Sequence, residues 1–98
     1  MAAKYISSKD PSELIPITFD FSGLVTSIDT IASIAISVIS GTDPNVATML
    51  YSSAQKTGTN VIQLVQNGVN NAAYKIRADI VSGSEKYAIA AIFNVKTL

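Results

Sequence analysis

The stretch Tyr74-Lys75-Ile76-Arg77-Ala78-Asp79-Ile80-Val81-Ser82-Gly83-Ser84-Glu85-Lys86-Tyr87-Ala88-Ile89-Ala90-Ala91-Ile92-Phe93-Asn94-Val95 decides the fold. Tyr74, Ile76, Ala78 and Ile80 alternate with Lys75, Arg77, Asp79 and Val81. After the turn residues Ser82-Gly83-Ser84-Glu85, the set Tyr87, Ile89, Ala91, Phe93 and Val95 alternates again. A period of two sends successive side chains to opposite faces of a strand, so this stretch predicts two long strands closed into a β-hairpin.

Working back from the hairpin, Asn67-Gly68 breaks the chain, and Val61–Gln66 reads as a strand with Val61, Gln63 and Val65 opposed to Ile62, Leu64 and Gln66. Lys56-Thr57-Gly58-Thr59 is a turn. Val46–Ala54 has no clean period and is read as a short strand, a helical turn being the alternative. Ser40-Gly41-Thr42-Asp43-Pro44-Asn45 is a loop. In Ile28–Ile39, Ile31, Ile34, Ala35 and Val38 would fit a helix, but the β-branched content favours a strand with Ile34, Ile36 and Val38 on one face. Ile17, Phe19 and Phe21 alternate with Thr18, Asp20 and Ser22, which predicts a half-buried strand from Pro16 that Gly23 ends. The result is an all-β two-sheet sandwich of about six or seven antiparallel strands with Greek-key connections over residues 16–98.

Residues 1–15 read as a short N-terminal arm outside the sandwich. Within it, Asp10-Pro11-Ser12-Glu13 has the form of a capping box, with Pro at the first helical position, and predicts one helical turn.

The 98 residues suit one domain, and a hydrophobic fraction of 48% with 14% charged residues suits a globular core. With no cysteine, neither disulfides nor thiolate metal sites are expected, which fits folding in a reducing cytosol. The absence of histidine removes the commonest general base and transition-metal ligand, and the serines read as turn and strand-end residues. No catalytic residue, cofactor or metal is expected, and the chain is read as a non-enzyme. The one metal arrangement weighed is a calcium ion between Asp29 and Asp43, against solvated loop acids.

Formal net charge is zero, so no basic surface points to nucleic acid. Residues 1–49 hold two lysines against five acids, and residues 50–98 hold five basic residues against two acids. A lightly charged, neutral surface favours association. The first residues lack a signal-peptide pattern and no apolar run reaches the length of about 18 residues that spans a bilayer, so no membrane partner is expected.

Interface candidates are therefore surface features. The arm contributes Tyr5, Ile6, Lys9, Asp10, Pro11 and Glu13. The outer face of the penultimate strand contributes Lys75 and Arg77, a mixed-sign stripe with Asp79 that also fits a solvated sheet face. Ala88, Ala90 and Ile92 give the last strand a small, apolar second face, to be covered either by another chain or by the protein's own N-terminal residues. The glycines Gly68 and Gly83 fit turns and not a phosphate loop.

Lys9-Asp10-Pro11-Ser12-Glu13, Phe19-Asp20-Phe21-Ser22, Asp29-Thr30-Ile31-Ala32-Ser33 and the Tyr74–Val81 strand follow one another in an order that resembles the fibre-tail adaptor family of tailed bacteriophages. The resemblance covers about nine tenths of the chain. Phe21 stands where that family usually has Trp, and Asn67-Gly68-Val69-Asn70-Asn71 stands where it has a double glycine. What the resemblance implies is an immunoglobulin-like structural virion protein, made in the bacterial cytoplasm and present in several copies. It would link the tail, neck or head-tail junction to fibres or neighbouring virion proteins. The alternatives are a capsid decoration or cement protein, and a carbohydrate- or protein-binding sandwich module; for the sugar reading, Tyr74 and Tyr87 fall on the expected core face and no Trp is present.

Overall fold

The computed structural model describes residues 3–5, by their backbone, and 8–97. Its strands are β1 (Ala3–Tyr5), β2 (Ile15–Asp20), β3 (Thr30–Ser40), β4 (Leu50–Thr57), β5 (Asn60–Val65), β6 (Ala73–Ser82) and β7 (Glu85–Asn94). They form two sheets, β1-β7-β6-β3 and β2-β5-β4. This strand order is that of an immunoglobulin-like sandwich: two hairpins, β4-β5 and β6-β7, and connections that otherwise cross from one sheet to the other.

The terminal hairpin forms as its alternation requires, pairing in unbroken register from Ala73↔Asn94 to Ser82↔Glu85. Its inward residues Tyr74, Ile76, Ala78 and Ile80 are 0% exposed. From the facing sheet they meet Ile17, Phe19, Val61 and Val65, all buried. The Tyr74 and Phe93 rings stack at 5.5 Å. Phe21 is fully buried just beyond β2, and its backbone N–H donates to the Thr59 carbonyl at 2.9 Å, so an aromatic smaller than Trp fills that corner of the core.

Three expectations need correction. Val46–Ala54 is not one element: Val46–Met49 is a 3₁₀ turn that drives Met49 into the core, and the strand begins at Leu50. The Asp10–Glu13 segment keeps one of the two capping-box bonds, Asp10 N–H to Glu13 Oε1 at 2.7 Å, whereas Glu13 N–H donates to the Asp10 backbone carbonyl at 2.9 Å and not to its side chain. They close a tight turn and not a helix, because the chain is already extended at Ile15. The arm is also not outside the sandwich. β1 runs parallel to β7 with Ala3↔Ala90 and Tyr5↔Ile92, and Lys9 bridges Val95 in the same sense. Among the described residues β2 to β7 pair with one another antiparallel, and β1 adds a parallel seventh strand beside β7.

β4 carries an irregularity between Tyr51 and Gln55, with Ser52 at φ 64°. The buried Gln63 amide supports it by donating to the carbonyls of Tyr51 and Ser52, both at 3.1 Å, and of Leu64 at 2.8 Å. A glutamine in the middle of an apolar face is thereby satisfied, as burial demands.

Candidate interaction surface

The register brings Lys75, Arg77, Ala88, Ala90 and Ile92 onto one surface, the outer face of the four-stranded sheet. Lys75 lies between Ser37 and Ile92, Arg77 between Ala35 and Ala90, and Asp79 between Ser33 and Ala88. Arg77 Nε donates to Asp79 Oδ1 at 2.7 Å. Both side chains are open to water, so this pair orders the face without adding much stability. Lys75, Arg77, Lys86, Tyr87, Ala88 and Ala90 line a shallow depression open to solvent. Small residues at Ser33, Ala35, Ser37, Ala88 and Ala90 keep the face low between its few charges.

Ala90 is less available than expected. Set between Arg77 on β6 and Ala3 on β1, it is only 8% exposed. The unprotected apolar strand read from sequence is therefore flanked by the protein's own N-terminal strand, which lies beside β7. Ala88 and Ile92 are half-buried. Tyr5 is positioned only through its backbone pairing with Ile92, and Ile6 lies outside the described residues.

The Lys9–Glu13 group has an architectural role. Lys9 is 0% exposed, its ammonium donating to the carbonyls of Asp10 at 2.9 Å and Asn67 at 2.8 Å. Its backbone N–H donates to the Asn94 carbonyl and its own carbonyl accepts from Lys96 N–H. Burial pulls the ammonium below the usual lysine range, opposed by the Glu13 and Asp10 carboxylates. Ser12 donates through both its N–H and its hydroxyl to Asp10 Oδ1. Asp10, Pro11 and Glu13 are half-buried beside this lock.

Sequence reasoning missed how this corner closes. Tyr74 Oη accepts from Val69 N–H at 2.8 Å and donates to Asp43 Oδ2 at 2.9 Å, a tyrosine corner at the start of β6. Burial, chiefly, raises the phenol above its usual range. Gly68, at φ +104°, has Val95 Cγ2 only 2.7 Å from where a Cβ would stand. The only sequence signals were the tyrosine opening the strand and the Asn67-Gly68 break before it.

At the opposite end of the sheet, Asp29 Oδ2 accepts Gly83 N–H at 2.6 Å and Lys56 donates to the carbonyls of Ile28 and Asp29 at 2.9 and 2.8 Å. Asp43 sits by the start of β6 and Asp29 by its end, about 30 Å apart at strand rise. They do not converge on one ion, and among the described residues no group of three metal-ligating side chains occurs. Asp20 Oδ1 accepts Ser22 N–H at 2.9 Å, a contact to the backbone of the loop that follows β2.

No family model, curated protein or solved structure matches the chain.

Proposed function

We propose that the chain is a structural, non-enzymatic virion protein of a tailed bacteriophage: an adaptor of the fibre-tail type that joins the tail, neck or head-tail junction to fibres or neighbouring virion proteins. The observation that carries the reading is that segments bearing the resemblance, distant in sequence, have a shared architectural use. Lys9 reaches the Asn67 carbonyl, and Tyr74 holds Val69, so the Lys-Asp-Pro-x-Glu turn, the glycine-containing segment and the tyrosine strand meet at one corner. Asp29 ties the start of β3 to the β6-β7 turn. These residues maintain the sandwich, which leaves the outer face around Lys75, Arg77 and Ala88 as the surface for a neighbouring virion protein. Its low relief and mixed charge suit a flat protein contact. For a sugar platform Tyr74 is lost, buried and stacked inward on Phe93, and half-buried Tyr87 is the one aromatic residue that lines the depression.

The test is electron microscopy of phage particles lacking the protein, with crosslinking mass spectrometry of intact particles. Fibreless or tail-defective particles, with crosslinks from Lys75 or Lys86 to tail or fibre components, are expected. Intact particles of reduced heat stability would assign a capsid-cement role instead. Unaffected particles that do not contain the protein would overturn the proposal.

A further inference from the structure

The sandwich has four edge strands, and three carry features that discourage further pairing. β1 is three residues long, β2 carries Pro16 and ends in Asp20, and β4 is broken by its irregularity and carries Lys56. β3 is different. It is eleven residues long, no charged residue occurs between Asp29 and Asp43, and its pairing with β6 is regular from Ser33 to Val38. Among the described residues no strand pairs on its outer side. Its inward residues Ile34, Ile36 and Val38 are only half-buried, although their β6 partners Ala78, Ile76 and Tyr74 are fully buried.

We infer that β3 is a self-association edge, and that its occupant is β3 of a second copy, paired antiparallel about a two-fold axis at Ala35. The stretch Ser33-Ile34-Ala35-Ile36-Ser37 is a palindrome and lies wholly within the regular part of the strand. An antiparallel partner reads the same residues in reverse. In the register centred on Ala35, Ser33 faces Ser37 of the second copy, Ile34 faces Ile36, and Ala35 faces itself. Two-fold interfaces require this self-complementarity. The isoleucines of both copies fall on the inner side of one continuous eight-stranded sheet and cover each other's exposed flanks. About four to six main-chain hydrogen bonds would form across the seam. Charges also agree: Ser33 lies beside Asp79 and Ser37 beside Lys75, so each row across the seam joins Asp79 of one copy to Lys75 of the other. A foreign strand could use the same hydrogen bonds, but the palindrome favours the chain's own copy. This inference rests on β3 alone and does not depend on a phage assignment.

The test is sedimentation equilibrium of the purified full chain over micromolar to millimolar concentration. The wild type is expected to form a dimer of the 10.3 kDa chain. Ser33→Lys/Ser37→Lys opposes like charges twice and is expected to weaken the dimer by about tenfold or more, whereas Ser33→Lys/Ser37→Glu opposes unlike charges and retains it. Both positions are exposed, and circular dichroism checks that the variants fold. Independently, Ala35→Cys in this cysteine-free chain is expected to form an intermolecular disulfide on mild oxidation much faster than Ser84→Cys at the β6-β7 turn. A monomeric wild type throughout, equal dimerisation by the two double variants, or equal crosslinking of the two cysteines would overturn the inference.

Discussion

Replacing Lys9 by Met tests whether the buried ammonium holds the corner or merely occupies it. Methionine keeps most of the stem but removes the donors to the Asp10 and Asn67 carbonyls, at 2.9 and 2.8 Å. Hydrogen bonds from a charged group contribute about 1.5–3 kcal/mol each, and some of that is returned because a charge no longer has to be desolvated. A net loss of about 2–4 kcal/mol follows, or roughly 8–30 °C in Tm for a domain of this size. Thermal and urea unfolding of the two proteins measure it. The pH dependence provides a second check. Burial lowers the folded-state pKa of Lys9, so the unfolded state binds more protons between that value and the unfolded value near pH 10.4. Wild-type stability therefore gains a rising component through that alkaline window, fully developed above it and absent below the folded pKa; Lys9→Met lacks it. A variant within about 0.5 kcal/mol of wild type, or more stable, would refute the role assigned to these two bonds.

Gly68→Ala is expected to lose about 2–4 kcal/mol, because φ is +104° and the new Cβ meets Val95 and Met49; Gly83→Ala, at φ +61° with open space around it, should lose only about 1 kcal/mol in the same denaturant titration. Tyr74→Phe removes the acceptor for Val69 N–H and the donor to Asp43, with an expected loss of about 1.5–3 kcal/mol by urea unfolding at neutral pH. Because the wild-type phenol has a raised folded pKa, its contribution is full below about pH 10 and falls as pH rises through the folded value; Tyr87, held up by Glu85, also titrates late, so ultraviolet titration should show a late tyrosinate phase whose amplitude falls by one tyrosine in Tyr74→Phe. Gln63→Leu strips the amide from three carbonyls around the β4 irregularity and should cost about 1–3 kcal/mol; an unchanged urea midpoint would mean that water replaces the amide.

The hairpin was legible because its code is local: alternation from Tyr74 to Val95 states which side chains go inward before any partner is known. The same held for the β-branched β3 and for Val61, Gln63 and Val65. Val46–Ala54 was misread because Met49 enters the core from a 3₁₀ turn, which leaves no period of two across its junction with β4. Ala3–Tyr5 is too short to carry a period, so its place beside β7 depends on the partner's free edge. Lys9 reads as a surface residue from its charge. Only the fold supplies the Asn67 carbonyl, 58 positions away, that receives its ammonium. Of the candidate surface, Lys75, Arg77 and Ala88 followed from alternation, whereas the burial of Ala90 and the edge position of β3 depend on strand order, which no local pattern encodes.

The parallel seam between β1 and β7 has a mechanical consequence. Tension applied to the start of β1 and the end of β7 acts along both strands, across the slanted hydrogen bonds that join them. Those bonds, with the Lys9–Val95 bridge, must then shear together and cannot open one after another like a zip. Pulled in an optical trap between these two points, the domain is expected to yield in one abrupt high-force event; gradual peeling at low force would contradict it. A module loaded in this way keeps its length under strain, a property that a soft hinge lacks and a rigid coupling needs.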